Sequence, residues 1–89
     1  VLDWDDYDEM IAQANDVEFG LTGNVWTNDI SQALRTARHI DSGYISVNGT
    51  GKRPTGSPFG GFKSSGLGKE SSLDELLSYG RDKSVTVTL

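Results

Sequence analysis

The feature that most constrains the fold of this chain is a glycine-rich stretch across residues 49–68, which holds seven of the 11 glycines and both prolines. Glycine and proline place special demands on the backbone, so the stretch is either a disordered linker or a loop held in one conformation. Phe59 and Phe62 lie inside it, on either side of Gly60 and Gly61. Linkers rarely carry paired aromatic residues, which need somewhere to pack. We therefore predict a held loop.

The segments before this loop predict an α/β fold. Residues 5–15 have the apolar spacing of an amphipathic helix, and residues 23–27 form a plausible short strand. The clearest helix begins at Ile30, where Asn28 or Asp29 can cap it, and residues 44–48 follow as a strand. A strand, a helix and a strand with short connections form a βαβ unit, whose two strands should be parallel.

The segments after the loop predict a short helix and a terminal strand. Ser72 and Glu75 have the spacing of a capping box, ahead of an apolar stripe that ends at Gly80. Residues 82–89 alternate apolar and polar side chains, as a strand does, but the sequence offers no partner hairpin. Such a strand is a candidate for pairing with another chain.

Composition excludes several classes of function. Eighty-nine residues make at most one small domain, and no stretch is long and apolar enough to cross a membrane. The net charge of −5 argues against nucleic-acid binding, which needs a broad basic face. Cysteine is absent, so disulfides, thiolate metal sites and a cysteine nucleophile are absent with it. The glycine-rich stretch is locally basic, and its cations face either an anionic group or solvent: Lys52, Arg53, Lys63 and Lys69.

The sequence contains one incomplete phosphate-binding motif and too few ligand residues for a transition-metal site. Residues 56–64 nearly match a phosphate-binding loop, but Phe62 separates Gly61 from Lys63 and no helix follows at once, so we reject this interpretation. His39 is the only histidine, and no metal site is predicted. Its position near the end of the long helix favours a role at the helix terminus, with a catalytic base or ligand as the alternative.

Two residues of the loop have open functional interpretations. Glu70 ends the glycine run, where its carboxylate is either a general acid/base or proton relay, or a partner for the amides of the following helix. Phe59 is either a plug in the core or one wall of an apolar site.

An ordered series of short motifs carries a resemblance that covers essentially the whole chain. The chain resembles the C-terminal part of the NAD(P)-dependent aldehyde dehydrogenases through these runs: residues 14–21, Val25-Trp26-Thr27, residues 43–48, residues 58–70, Tyr79 and Lys83-Ser84-Val85. The resemblance implies the C-terminal portion of a catalytic domain over residues 1–81 and an oligomerisation strand over residues 82–89. It also implies a cytoplasmic homo-oligomer without membrane or nucleic-acid partners.

The same resemblance implies a reaction and a set of site residues. In that family an aldehyde is oxidised to a carboxylic acid through a cysteine thioester, with NAD or NADP as the hydride acceptor. By resemblance, Phe59 lines the aldehyde tunnel, and Pro58, Gly60 and Gly61 shape the supporting turn. The segment 49–55, including Gly49 and Thr50, forms the outer wall of the tunnel. Arg53 suggests a substrate with an anionic group, and Glu70 lies behind the site as a proton relay.

The chain lacks the catalytic and coenzyme-binding residues of the family. The cysteine nucleophile, the general-base glutamate, the oxyanion asparagine and the coenzyme-binding residues of the family all belong upstream of the residues matched here. The chain begins at Val1, and its one methionine is Met10. We therefore expect a fragment that is inactive alone because it has no cysteine nucleophile. The alternative is a free-standing, non-catalytic binding or assembly module of the same fold.

Overall fold

A computed structural model describes residues 1–50 and 53–89 of the chain. Its elements, in chain order, are α1 (Tyr7–Asn15), β1 (Phe19–Gly20), β2 (Thr22–Val25), α2 (Ile30–His39), β3 (Tyr44–Val47), β4 (Phe62–Lys63) and α3 (Leu73–Ser78). Gly51 and Lys52, which belong to the predicted tunnel wall, lie outside the described residues.

The predicted parallel pairing is confirmed. β2 and β3 pair in parallel, with Thr22 opposite Tyr44 and Val25 opposite Val47. Helix α2 connects them, and Asp29 caps its start because its Oδ1 accepts hydrogen bonds from two backbone amides of the first turn. β2 ends at Val25, two residues earlier than predicted.

Helix α1 is joined to the rest of the fold at its C-terminal end. The Asn15 side chain donates to the carbonyl of His39 at 2.8 Å and accepts from the amide of Asp41 at 2.9 Å. Lys63 Nζ donates to the carbonyls of Asn15 at 2.8 Å and Val17 at 3.2 Å. A cation at these carbonyls complements the negative end of the helix dipole.

The described part of the glycine-rich stretch is tied to the body of the chain. β1 and β4 form an antiparallel pair that the sequence did not predict, with Gly20 opposite Phe62. Ser65 Oγ also accepts from the amide of Gly20 at 2.9 Å. Gly20 has no room for a side chain, because a Cβ there would overlap the carbonyl oxygen of Asp41. The stretch is therefore a loop fixed by long-range hydrogen bonds.

The capping box of α3 forms only in part. The Glu75 carboxylate accepts from the amide of Ser71 at 2.6 Å, one residue before the cap. The hydroxyl of Ser72, at the N-cap itself, makes no hydrogen bond to the described residues. The spacing therefore predicted the start of the helix correctly, but not the reciprocal pair of hydrogen bonds.

Residues 82–89 do not form a strand in the chain on its own, and their predicted pairing with another chain stays a prediction. These residues have no regular secondary structure and are exposed throughout. A strand needs a neighbour that satisfies its backbone groups, and the described part of this chain offers none to them.

Little apolar surface is buried. Ala33 is the only buried apolar side chain among residues 1–50 and 53–89. Leu73, Leu76 and Leu77 of α3 are each about two-thirds exposed, at 66%, 69% and 65%. None of the helices in the described ranges is long and apolar enough to span a membrane.

Candidate functional site

The paired strands β2 and β3 present two chemically different faces. Side chains alternate between the faces of a sheet, and partners in register share a face. One face carries mainly apolar residues, and a Cβ at Gly23 would meet the side chains of Ile45 and Ile40, beside the end of α2. The opposite face carries four residues with polar groups: Thr22, Asn24, Tyr44 and Ser46. This polar face is the floor of the candidate site.

A cavity of about 210 Å³ lies on this polar face. Besides the four sheet residues, it is lined by three residues of the loop: Thr50, Arg53 and Phe59. Sites for drug-sized ligands measure roughly 300–1,000 Å³, so the space suits a small molecule or one end of a larger one. We call it the sheet-face cavity.

Phe59 is central to the sheet-face cavity. Its ring meets the ring of Tyr44 edge-to-face, with centroids 5.8 Å apart and planes at 62°. The Arg53 guanidinium carbon lies over the Phe59 ring, 3.9 Å from its centroid. Both arrangements are favourable for a ring whose face is negative and whose edge is positive. Phe59 is half-buried and lines the sheet-face cavity.

The backbone of Phe59 is fixed by that of Glu70. The amide of Phe59 donates to the Glu70 carbonyl at 2.9 Å, and the Glu70 amide donates back to the Phe59 carbonyl at 2.7 Å. The Glu70 side chain is exposed and makes no hydrogen bond or ion pair within the described ranges. The carboxylate bonded at the start of α3 is that of Glu75, so Glu70 does not satisfy the helix amides.

Phe59 and Glu70 also border a second cavity, of about 360 Å³. Its remaining lining residues include Leu21, Gly60, Gly61, Ser65 and Lys69. Phe59 is the aromatic residue common to both cavities. A molecule in either space would therefore touch it.

Gly60 and Gly61 allow the loop to pack closely on itself. A Cβ at Gly60 would overlap the carbonyl oxygen of Gly68, and one at Gly61 would overlap Ser65. Two parts of the loop backbone therefore lie in direct contact at these two positions, which follow Phe59 in the sequence. Pro58 and Gly49, which were also predicted as site residues, do not line the sheet-face cavity.

The four residues that form the floor of the site were not predicted from the sequence. Tyr44 and Ser46 lie in the strand predicted over residues 44–48, but neither was predicted as a site residue. Polar side chains at the alternate positions of two paired strands were the available signal.

His39 lies outside both cavities. It ends α2, and its Nδ1 is 3.3 Å from the hydroxyl of Tyr7. The structure therefore places it at a helix terminus, in contact with α1. The described residues contain no group of three or more side chains that could hold a metal ion.

Comparisons of the sequence with a family profile and with individual proteins all identify aldehyde dehydrogenases. The sequence profile of the aldehyde dehydrogenase family matches residues 1–85. Aldehyde dehydrogenase tropH of Talaromyces stipitatus is 39% identical over 89 residues, which are 100% of this chain and 17% of that protein. Betaine aldehyde dehydrogenase of Rhizobium leguminosarum bv. trifolii is 47% identical over 87 residues, or 98% of this chain and 18% of that protein.

Solved structures of the same kind superpose on the chain. A Mycobacterium tuberculosis aldehyde dehydrogenase complexed with NAD+ matches with a TM-score of 0.82 and 35% identity, over 96% of this chain and 17% of that one. An indole-3-acetaldehyde dehydrogenase of P. syringae in complex with NAD+ and IAA matches with a TM-score of 0.76 and 44% identity, over 82% and 15%. The chain thus spans less than a fifth of the length of these relatives.

Proposed function

The chain belongs to the aldehyde dehydrogenase family, and we propose that it is the C-terminal section of a longer enzyme that oxidises an aldehyde to a carboxylic acid with NAD+ or NADP+. The observation that carries this proposal is the sheet-face cavity. Three residues named from the sequence as substrate contacts, Phe59, Arg53 and Thr50, converge there on one small space. Two aromatic rings, one cation and four small polar side chains line that space.

In this proposal Phe59 is a wall of the aldehyde site. Its backbone bonds to Glu70 and its edge-to-face contact with Tyr44 fix the ring, so the side chain can orient a substrate without moving. Holding a reactant in a productive geometry lowers the entropic part of the barrier. Pro58, Gly60 and Gly61 support the turn that carries Phe59, and Gly49 and Thr50 belong to the outer wall.

The chemical step needs groups that this chain does not contain. The sequence has no cysteine, so the thioester must form on a residue elsewhere in the longer enzyme. The coenzyme, which accepts the hydride, is also held elsewhere. The residues here do not fit it, because the near-match to a phosphate loop includes β4, and Lys63 Nζ donates to the carbonyls of Asn15 and Val17 instead.

We assign Glu70 the role of a proton relay. Its carboxylate is exposed and borders the second cavity next to Phe59. A carboxylate without a structural partner in the described residues can exchange protons with water in that cavity. Its backbone bonds to Phe59 keep it at a fixed place relative to the site.

Residues 82–89 supply the oligomer interface in this proposal. Their alternating, β-branched sequence suits a strand, and they are fully exposed with no partner in the described chain. A strand added to the sheet of a second subunit would satisfy their backbone groups. The extensive exposure of apolar side chains on α3 likewise favours a section of a larger protein over a free-standing module.

The test is aldehyde-dependent reduction of the coenzyme. The longer protein that contains this chain is expected to reduce NAD+ or NADP+ only when an aldehyde is present, and the 89-residue chain alone is expected to reduce neither. A longer protein that binds no aldehyde and reduces neither coenzyme would overturn the proposal.

A further inference from the structure

The cation that lines the sheet-face cavity has no acidic partner among residues 1–50 and 53–89. Arg53 is within ion-pair distance of no carboxylate there, since the ion pair found in those ranges joins Lys63 to Asp41. The other residues lining the cavity are all uncharged. The two neighbouring positions outside the described ranges are a glycine and a lysine, neither of which carries a carboxylate.

The position of Arg53 leaves its hydrogen-bond donors available. Its guanidinium contacts the face of the Phe59 ring, an interaction that uses the positive charge and not the N–H groups. The side chain donates no hydrogen bond within the described ranges. A guanidinium has five N–H donors in a planar fork that matches the two oxygens of a carboxylate.

The remaining walls of the sheet-face cavity suit an uncharged, flat linker between a group bound by the Arg53 guanidinium and the aldehyde group of a substrate. Tyr44 and Phe59 offer aromatic surface, and their rings are held edge-to-face at 5.8 Å. The polar side chains of the sheet floor offer neutral donors and acceptors: Thr22, Asn24 and Ser46. The cavity therefore combines an aromatic wall with a cation that has no carboxylate partner in the described part of the chain.

We propose that the substrates of this site are aldehydes that carry a carboxylate at the end remote from the aldehyde, with the carboxylate bound by the Arg53 fork over the Phe59 ring. This inference rests on the proposed function and adds the substrate class to it. It makes Arg53 a specificity-determining residue, because an uncharged substrate of the same shape would leave the fork unpaired. Tyr44 and Phe59 offer aromatic surface, so an aromatic linker, as in 4-formylbenzoate, is the first to test.

The experiment compares two aldehydes of nearly equal size, 4-formylbenzoate and 4-formylbenzamide, with the full-length protein. Wild type is expected to prefer the carboxylate in kcat/KM. In Arg53→Gln the ratio of the two kcat/KM values should fall by about 10- to 100-fold, since a charged hydrogen-bonded pair is lost. In Arg53→Lys this ratio should fall by less, because lysine keeps the positive charge but lacks the planar fork of N–H donors. Arg38→Gln, the same change at an exposed position of α2, should leave the ratio unchanged.

A binding measurement separates this inference from the proposed function. Calorimetry with the unreactive pair 4-methylbenzoate and 4-methylbenzamide should show tighter binding of the carboxylate by wild type, and equal binding by Arg53→Gln. An unchanged ratio in Arg53→Gln, or an equal loss of activity toward both aldehydes, would overturn the inference and leave Arg53 as a support for Phe59. The proposed function fails only if no aldehyde supports coenzyme reduction by the full-length protein. If wild type oxidises other aldehydes but neither of these two, the calorimetry decides the role of Arg53.

Discussion

The side chain of Asn48 pairs with both backbone polar groups of Thr27. Its Oδ1 accepts from the Thr27 amide at 2.9 Å, and its Nδ2 donates to the Thr27 carbonyl at 2.9 Å. This pair continues the hydrogen bonding between β2 and β3 one step beyond the last backbone bond, from the Asn48 amide to Val25. It fixes the point at which the chain leaves the sheet toward Thr50, and therefore the start of the cavity wall.

Replacing Asn48 by alanine should lower the free energy of unfolding by about 1–3 kcal/mol, because two hydrogen bonds are lost and alanine must adopt a left-handed backbone conformation. The φ of Asn48 is 52°. Asn48→Gly is the matched variant, since glycine tolerates this φ but also lacks the carboxamide. Chemical denaturation of the full-length protein should rank wild type above Asn48→Gly and Asn48→Gly above Asn48→Ala. Equal stability of all three would show that the Asn48–Thr27 pair contributes nothing.

Gly60→Ala should destabilise the loop, because its Cβ would overlap the carbonyl oxygen of Gly68. Forced overlap in a packed region costs about 1–3 kcal/mol, which would appear as a lower thermal midpoint. Gly80→Ala is the control, since a Cβ there meets its nearest atom, the carbonyl oxygen of Leu77, at an ordinary 3.5 Å. If the two alanine variants melt at the same temperature, the close approach at Gly60 does not constrain the loop.

Phe59→Leu should reduce kcat/KM for aldehydes by up to about 10-fold, because leucine keeps the apolar bulk but loses the edge-to-face contact with Tyr44 and the contact with Arg53. Phe19→Leu is the matched control, because Phe19 is 57% exposed on β1 and lies outside the sheet-face cavity. Steady-state kinetics should separate the two variants. An equal reduction of kcat/KM in the two variants would show that Phe59 does not contact the aldehyde.

Glu70→Gln should lower kcat by about 100-fold, the lower end of the range for general acid–base groups, and should change the shape of the pH–rate profile. The backbone bonds between Glu70 and Phe59 do not depend on the side chain, so the thermal midpoint should stay the same. Glu9→Gln, an exposed change on α1, serves as the control. A pH–rate profile identical to that of wild type would exclude the proton relay.

Deleting residues 82–89 should dissociate the full-length protein into smaller species, measured as molar mass by light scattering during size-exclusion chromatography. Val87→Pro should weaken the assembly because proline cannot donate to a strand ladder. Val87→Thr keeps the β-branched shape and the amide, and it should assemble normally. A truncated protein with the mass of wild type would assign the interface to another segment.

The sequence predicted the elements whose signals are local. Helix α2 has a repeating apolar stripe and a capping Asp29, and the structure begins it at the next residue. The antiparallel pair of β1 and β4 was missed because strands of two residues show no periodicity. Their pairing depends on residues that are more than 40 positions apart, which a local pattern cannot reveal.

The candidate site was predicted in part for a similar reason. Phe59, Arg53 and Thr50 were named from the loop, and the structure brings them to one cavity. The floor residues Tyr44 and Ser46 were not predicted as site residues, because alternation within one strand does not reveal which of its faces lines a site. Alternation in residues 82–89 predicts a tendency to form a strand, but it does not supply the partner that a strand requires.

The most direct test of the account is a crystal structure of the full-length protein with a bound aldehyde or its carboxylic acid product. We predict ligand density in the sheet-face cavity, in contact with the rings of Phe59 and Tyr44 and within hydrogen-bond distance of Arg53. Density for the ligand at another site, with the sheet-face cavity filled by side chains from the rest of the protein, would contradict the account.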